Sequence, residues 1–206
     1  MPATITQAYL EARNRLADVD WTEVARRMGT ISTPEGVLVA FFGEPHWIGP
    51  EGCTGPDGRS AAEAVGLVLC RYVQRFPAIA PNNGSIRTFR ELEGAGPLVS
   101  RFADNTHKII ASTFGRDPDA LRGAALALIG GRQEQVSGFD LALRFDALAH
   151  VPLYLRFNAA DSEFPAQAVL LFHPTATVFL DLQALFIVAT YLTGRLIGAT
   201  GRMDTI

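Results

Sequence analysis

Apolar residues recur at helical spacing near both ends of the chain and alternate with polar residues in its third quarter. An apolar face with polar residues opposite predicts a helix over residues 4–19, and a shorter helix follows it to Gly29. Asp20 and Glu23 have the spacing of a capping box at the start of this second helix. We therefore expect residues 1–35 to form a compact N-terminal helical hairpin.

Further helices are predicted on either side of the alternating region. Ser60 and Glu63 have capping-box spacing ahead of a strongly apolar helix, which Pro77 ends. Because this helix is apolar on most of its faces, we expect it to be the central helix of the core. A later helical region is expected to break near Asn105, and the final helix starts after Asp181.

Strands are predicted where apolar and polar residues alternate, over residues 139–145 and 151–157. Shorter apolar runs predict further strands, at residues 37–42, 168–172 and 177–180. The connections of about five to ten residues suit antiparallel hairpins and are too short for helical crossovers. We therefore expect an α+β fold with a mostly antiparallel sheet and packed helices. It forms a single domain over residues 36–198, followed by a frayed tail at 199–206.

Composition narrows the class of protein. The chain has 206 residues, 48% of them hydrophobic and 19% charged, which is typical of a folded domain. The net charge is −3, and acidic and basic residues are interspersed along the chain. The chain therefore has no basic stripe that would indicate nucleic-acid binding. No apolar segment near the start indicates a signal peptide, and the last helix is too short and polar to span a bilayer. We expect a cytoplasmic protein that binds neither nucleic acid nor membranes.

The chemistry of cysteine and histidine gives little indication of a metal site. Cys53 and Cys70 are too far apart for a CxxC motif and too few for a thiolate metal site. Cys70 lies in an apolar helical run and is expected to be buried, whereas Cys53 lies in a Gly/Pro-rich loop and could be exposed. We expect free thiols rather than a disulfide. None of the four histidines forms a metal-binding spacing, so no metal site is predicted.

Several short fragments together resemble a known family. In order along the chain they are Phe89-Arg90-Glu91-Leu92, Phe114-Gly115, Gly130-Gly131, Asp140, Val151-Pro152-Leu153, Asp161-Ser162-Glu163-Phe164-Pro165-Ala166 and Leu170-Leu171-Phe172. With these fragments the chain resembles the bacterial and archaeal family called Domain of Unknown Function 3786, over roughly residues 37–196. In that family an aspartate often follows the last fragment, where this chain has His173.

The resemblance implies a metabolic setting more than an activity. Members of the family occur mainly in anaerobes, and some carry an added iron–sulfur domain. This implies an accessory role near one-carbon, corrinoid or redox metabolism. The present chain lacks the four cysteines of such a domain, so no iron–sulfur cluster is expected and no cofactor is identified.

Two carboxylates, Asp161 and Glu163, form the first candidate site. They are expected at a turn between two strands, where they could act as acid and base or hold a cation. Alternatively, Asp161 accepts hydrogen bonds from turn amides and Glu163 pairs with an arginine. His173 is expected at a strand end, either as a turn residue or as a catalytic partner of Glu163.

Two further groups are candidates for ligand binding. Arg87, Arg90 and Glu91 form either an anion clamp or, through Arg90, an internal ion pair with Asp161 or Glu163. His46 and Trp47 lie in a long loop, where they either line the mouth of a pocket or anchor the loop.

Three functions remain open at this point. The first is a non-enzymatic binding or accessory protein of anaerobic metabolism, with a small-molecule or protein partner. The second is an enzyme that uses Asp161 or Glu163 as acid or base and Arg90 as an anion anchor. The third is a structural or oligomerisation module, for which a homodimer is one expected state.

Overall fold

The computed structural model describes residues 4–33, 35–81, 84–128 and 131–200. Its helices are α1 (Ile5–Asn14), α2 (Trp21–Met28), α3 (Glu63–Arg75), α4 (Val99–Asn105), α5 (His107–Phe114), α6 (Pro118–Ala127), α7 (Ala176–Phe179) and α8 (Leu182–Gly198). Its strands are β1 (Ser32–Thr33), β2 (Gly36–Phe41), β3 (Glu44–Gly49), β4 (Gly52–Thr54), β5 (Arg87–Thr88), β6 (Gly131–Glu134), β7 (Leu141–Leu148), β8 (Val151–Asn158) and β9 (Gln167–Phe172).

The strands form two antiparallel sheets. The small sheet has the order β1-β2-β3-β4, and the large sheet has the order β5-β9-β8-β7-β6. In the large sheet, the alternating residues of β7 and β8 pair directly, for example Leu143 with Leu155. The predicted α+β class with antiparallel sheets and packed helices is therefore confirmed.

The two long apolar helices α3 and α8 fill the core. Most residues of α3 are buried, including Leu67, Leu69 and Val73, and the helix packs against α1 and α8. Phe89 stacks on Phe102 with ring centroids 4.1 Å apart, next to α8. The prediction that the helix after residue 60 is the central core helix agrees with this packing.

The N-terminal helices belong to the core rather than to a separate hairpin. Helix α1 packs on α3, where Gly66 lets the ring of Tyr9 lie directly on the helix backbone. Helix α2 packs on β1 and β2 of the small sheet. Residues 1–35 were predicted to form a compact hairpin, but each helix instead buries its apolar face against a different element.

Local signals at the helix ends were partly correct. Asp20, Asp117 and Asp181 accept hydrogen bonds from backbone amides in the first turns of α2, α6 and α8. The predicted cap at Ser60 is wrong, because α3 begins at Glu63 after Ala62 and has no side-chain cap.

The other predicted boundaries of helices and strands were also correct only in part. The break near Asn105 is confirmed by the junction of α4 and α5. Residues 177–180 were predicted as a strand, but residues 176–179 form α7, because this puts Ala176 and Phe179 on one buried face. Helix α8 ends at Gly198, and most of the predicted tail, residues 201–206, lies outside the described residues.

In the described part of the chain, no helix combines the length and apolar character needed to cross a membrane.

Candidate functional site

The two sheets meet at a cleft of about 580 Å³, which we call the hairpin cleft. One wall is the hairpin that joins β7 to β8, and the facing wall comes from the β2–β3 turn and the segment after β9. Its lining residues are Ala40, Gly43, Pro81, Arg144, Asp146, Leu148, Ala149, His150, Pro152, Tyr154, His173 and Thr175. The cleft thus brings together residues that are far apart in the sequence.

Irregular backbone shapes the rim of the cleft. Phe42 and His150 have positive φ angles, 47° and 65°, which residues other than glycine adopt at a cost of about 1–2 kcal/mol. The backbone N–H of Phe42 donates to the carbonyl of Ala147 over 2.8 Å and so connects the two sheets. The pairing of β7 with β8 shifts register between Asp146 and Leu148, which marks a bulge beside the same rim. Such conformations are enriched at functional sites.

His173 is held in one orientation by the turn that follows it. Its Nδ1 lies 2.6 Å from the hydroxyl of Thr175 and receives the Thr175 backbone N–H over 3.4 Å. Because an amide nitrogen can only donate, this arrangement makes Nδ1 the acceptor and places the ring proton on Nε2. The Nε2–H group is then the donor that His173 offers to a ligand.

Arg144 supplies the main positive charge of the cleft. Its guanidinium contacts Asp146 at 3.0 Å, and Arg132 contacts the same carboxylate at 2.9 Å. Two arginines therefore share one acid, which leaves an excess of positive charge at this wall. The guanidinium carbon of Arg144 also lies 5.6 Å from the ring centre of Tyr154.

Tyr154 has a second cation on its ring. The guanidinium carbon of Arg156 lies 5.7 Å from the ring centre, and this arginine is buried and paired with Glu134 at 3.0 Å. Since the two arginines constrain the ring, the position of Tyr154 in the wall is well defined.

His150 completes the rim on the other side. Its ring stacks on Phe179 with a centroid distance of 5.3 Å and an interplanar angle of 5°. The side chain remains exposed at the mouth of the hairpin cleft. It is therefore accessible to a ligand, while the stacking limits its movement.

The donors of the cleft suit a ligand rich in acceptors. The Arg144 guanidinium, the Nε2–H of His173 and the Tyr154 hydroxyl can each donate a hydrogen bond. Within the described residues, no cluster of three or more His, Cys, Asp or Glu side chains could hold a metal ion. The chemistry that these residues offer is anion recognition and proton transfer.

The predicted carboxylate pair lies outside this cleft. The Oδ1 of Asp161 accepts the backbone N–H groups of Glu163 and Phe164 at 2.8 and 2.7 Å. These two hydrogen bonds hold the pKa of Asp161 below its usual range. Asp161 and Glu163 line a separate shallow hollow next to Arg116, so Asp161 has the turn geometry that was one of its two predicted roles.

The arginine candidates are also on the surface. Arg87 and Arg90 are exposed, and within the described chain no ion pair joins Arg90 to Asp161 or Glu163. The expected internal ion pair is therefore not formed. The Glu91 carboxylate accepts the backbone N–H and the hydroxyl of Thr88 at 2.7 and 2.8 Å, which lowers the pKa of Glu91.

His46 and Trp47 are adjacent in β3 and so face opposite sides of the small sheet. His46 is buried, and its Nδ1 lies 2.9 Å from the carbonyl of Glu44. Trp47 lines a second cavity of about 680 Å³ together with Tyr9 and Cys53. The sequence left the exposure of Cys53 open, and in the structure this side chain is buried because β4 packs on α3.

Four residues of the cleft were not predicted from the sequence, namely Arg144, Asp146, His150 and Tyr154. A signal exists for Arg144 and Asp146, because polar residues two positions apart in β7 mark one face of that strand. Strand pairing then sets Arg144 opposite Tyr154 and Asp146 opposite Pro152. His150 gives no comparable signal, because its positive φ depends on the bulged hairpin.

A family model described as a domain of unknown function (DUF3786) matches residues 20–195. The chain belongs to this family. The match confirms the resemblance that the fragments indicated and covers the hairpin cleft completely. The DUF3786 chain has no significant match among curated proteins or solved structures.

Proposed function

We propose that this DUF3786 chain is a binding protein that holds a small anionic metabolite in the hairpin cleft. The observation that carries the proposal is the convergence of Arg144 and His173 on one cleft. Arg144 lies in β7, whereas His173 directly follows β9. Asp146, the acid beside Arg144, already interacts with two arginines. A ligand anion therefore meets donors without a competing free carboxylate at this wall.

Charge and size support an anionic small molecule. A guanidinium matches carboxylate and phosphate groups because its planar donors can bind two oxygens at once. The cavity of about 580 Å³ falls within the range of small-molecule sites. Tyr154 adds an aromatic wall for the apolar part of a ligand.

The metabolic context of this binding protein is a separate part of the proposal. We place this binding protein in anaerobic one-carbon, corrinoid or redox metabolism, as an accessory protein with a small-molecule or protein partner. The support for this setting is the family resemblance. The two free cysteines agree with a cytoplasmic location, where thiols stay reduced.

The experiment is native mass spectrometry of the full chain, purified without oxygen, compared with its denatured mass. We expect a bound species that is lost on denaturation. The spectrum also reports whether the chain is a monomer or a homodimer. Calorimetric titration with inorganic phosphate and with succinate then tests the anion preference directly.

Variants locate the site. Arg144→Gln is expected to weaken binding at least tenfold, and Asp146 keeps its contact with Arg132, so the fold should persist. Arg116→Gln, which removes an exposed arginine outside the cleft, is the matched control and should bind as the wild type does. The proposal is wrong if neither a copurified species nor a titrated anion binds, or if both variants bind equally well.

A second candidate function is acid–base catalysis in the same cleft. The observation that favours it is the position of the His173 imidazole in the same cleft as Arg144, because histidine is the side chain that most often serves as a general acid or base. The test incubates the copurified species with wild-type protein and with His173→Asn. Conversion by the wild type alone supports catalysis, whereas unchanged ligand in both samples leaves binding as the function.

A further inference from the structure

Two cysteines that do not line the hairpin cleft lie next to each other in the core. Cys53 is in β4 and Cys70 is in α3, and their sulfur atoms are 3.7 Å apart. Both side chains are buried, with 3% and 0% of their surface exposed. Since the sequence separates them by 17 positions, only the packing of β4 on α3 brings them together.

We propose that Cys53 and Cys70 are a dithiol pair that closes to a reversible intramolecular disulfide. A disulfide bond is about 2.05 Å long, so the sulfurs need to approach by roughly 1.7 Å. The approach is feasible because β4 has only three residues and lies at the edge of the small sheet. A small shift of this edge strand towards α3 is enough.

The two sulfurs differ in how accessible they are to an oxidant, and this difference determines which cysteine reacts first. Cys53 lines the second cavity, of about 680 Å³, beside Tyr9 and Trp47, whereas Cys70 lies behind it in the core. A small oxidant such as hydrogen peroxide therefore meets Cys53 first. Cys70 is positioned to attack the oxidised sulfur from the protein side.

The reaction with peroxide balances in two steps. The Cys53 sulfur attacks one peroxide oxygen, which breaks the O–O bond and gives a sulfenic acid and one water. The Cys70 sulfur then attacks the Cys53 sulfur, forming the S–S bond and displacing hydroxide, which leaves as a second water with the remaining thiol proton. The two sulfurs together lose two electrons, and the peroxide gains them.

The environment of Cys53 makes this a slow reaction at neutral pH. Its hydrogen bond with Cys70 and its burial raise the pKa of the Cys53 thiol, so little thiolate is present. While thiolate is the minor form, its fraction rises about tenfold per pH unit, and the oxidation rate should follow it.

The test treats the reduced, folded full chain with hydrogen peroxide, removes the peroxide, and adds N-ethylmaleimide in denaturant. Intact mass spectrometry is expected to show a chain that has lost two hydrogen atoms and carries no maleimide. Treatment with a phosphine reductant should restore two maleimide sites. The proposal is overturned by two maleimide adducts after oxidation, by added oxygen atoms alone, or by a chain linked to a second copy.

Single variants test the order of the two sulfurs. In Cys70→Ser, the sulfenic acid of Cys53 has no internal partner and should be trapped by dimedone. In Cys53→Ser, Cys70 is shielded and should react at least tenfold more slowly with peroxide. Equal labelling of the two variants would contradict the assigned order. The wild-type mass measurement decides the disulfide itself even if a serine variant fails to fold.

Discussion

The phenolic hydroxyl of Tyr72, in the central helix α3, donates a hydrogen bond to the backbone carbonyl of Ala149 over 2.6 Å. Tyr72 is completely buried, and burial raises the pKa of its hydroxyl. Ala149 immediately precedes His150 in the hairpin that forms the cleft rim. The core helix therefore holds the position of the hairpin directly.

Replacing Tyr72 with phenylalanine removes this bond and leaves the Ala149 carbonyl without its donor. We expect Tyr72→Phe to lower the free energy of unfolding by about 0.5–1.5 kcal/mol, the typical contribution of such a hydrogen bond. Urea denaturation measures the change. Tyr154→Phe is the matched control, because the Tyr154 hydroxyl bonds to no described residue. Similar losses in both variants would contradict the assignment.

The positive φ of His150 predicts an inverted preference between glycine and alanine. Both substitutions remove the ring that stacks on Phe179, but only glycine adopts a φ of 65° without steric hindrance. We expect His150→Gly to be more stable than His150→Ala by about 1 kcal/mol, whereas glycine is the less stable residue at most positions. Paired chemical denaturation curves measure this difference, and a more stable alanine variant would refute it.

Two helical glycines should respond oppositely to alanine. A Cβ at Gly66 would lie 2.6 Å from the ring of Tyr9, so Gly66→Ala forces α1 away from α3. We expect a loss of about 1–3 kcal/mol, as in other overpacked cores. A Cβ at Gly194 in α8 meets nothing within 4 Å, so Gly194→Ala should stabilise by about 0.5–1 kcal/mol. Thermal unfolding of both variants tests the pair, and equal signs would contradict the packing.

Stability should fall in mild acid because of His107. Burial lowers the pKa of this imidazole, and protonation of Nε2 would also break its bond to the Leu170 N–H. The unfolded chain, with a histidine pKa of about 6.5, then binds more protons than the folded chain. The contribution of His107 is fully present above about pH 6.5 and declines as the pH falls towards the lower folded-state pKa.

The substitution His107→Gln removes this titration and keeps a side-chain acceptor for Leu170. We expect its free energy of unfolding to depend less on pH below about 6.5 than that of the wild type. Denaturation in urea at a series of pH values provides the comparison. Parallel pH profiles for the two proteins would show that His107 does not carry the effect.

Features that depend on neighbouring residues were predictable from the sequence, whereas features that depend on tertiary contacts were not. Asp20 and Asp181 cap their helices because an aspartate reaches amides only two or three residues away. The strands β7 and β8 follow from alternation alone. The run at residues 177–180 has the composition of a strand, and only its contacts in the folded chain make it helical.

The candidate site depended on longer-range relationships. Asp161 and Glu163 were conspicuous because they are close in the sequence, and this proximity reflects a turn. Arg144 and Tyr154 meet only through strand register, and His173 joins them only after β9 has paired with β8. Such convergence is a property of the tertiary structure that no single segment encodes.

The contact between His107 and Leu170 also bears on solubility. Strand β5 pairs with only the last part of β9, at Leu171 and Phe172, which leaves the Leu170 N–H pointing away from the sheet. The imidazole of His107 accepts that group from helix α5. A neighbouring molecule therefore cannot use the Leu170 N–H to extend the sheet, and this hydrogen bond protects the border at Leu170 against edge-to-edge pairing.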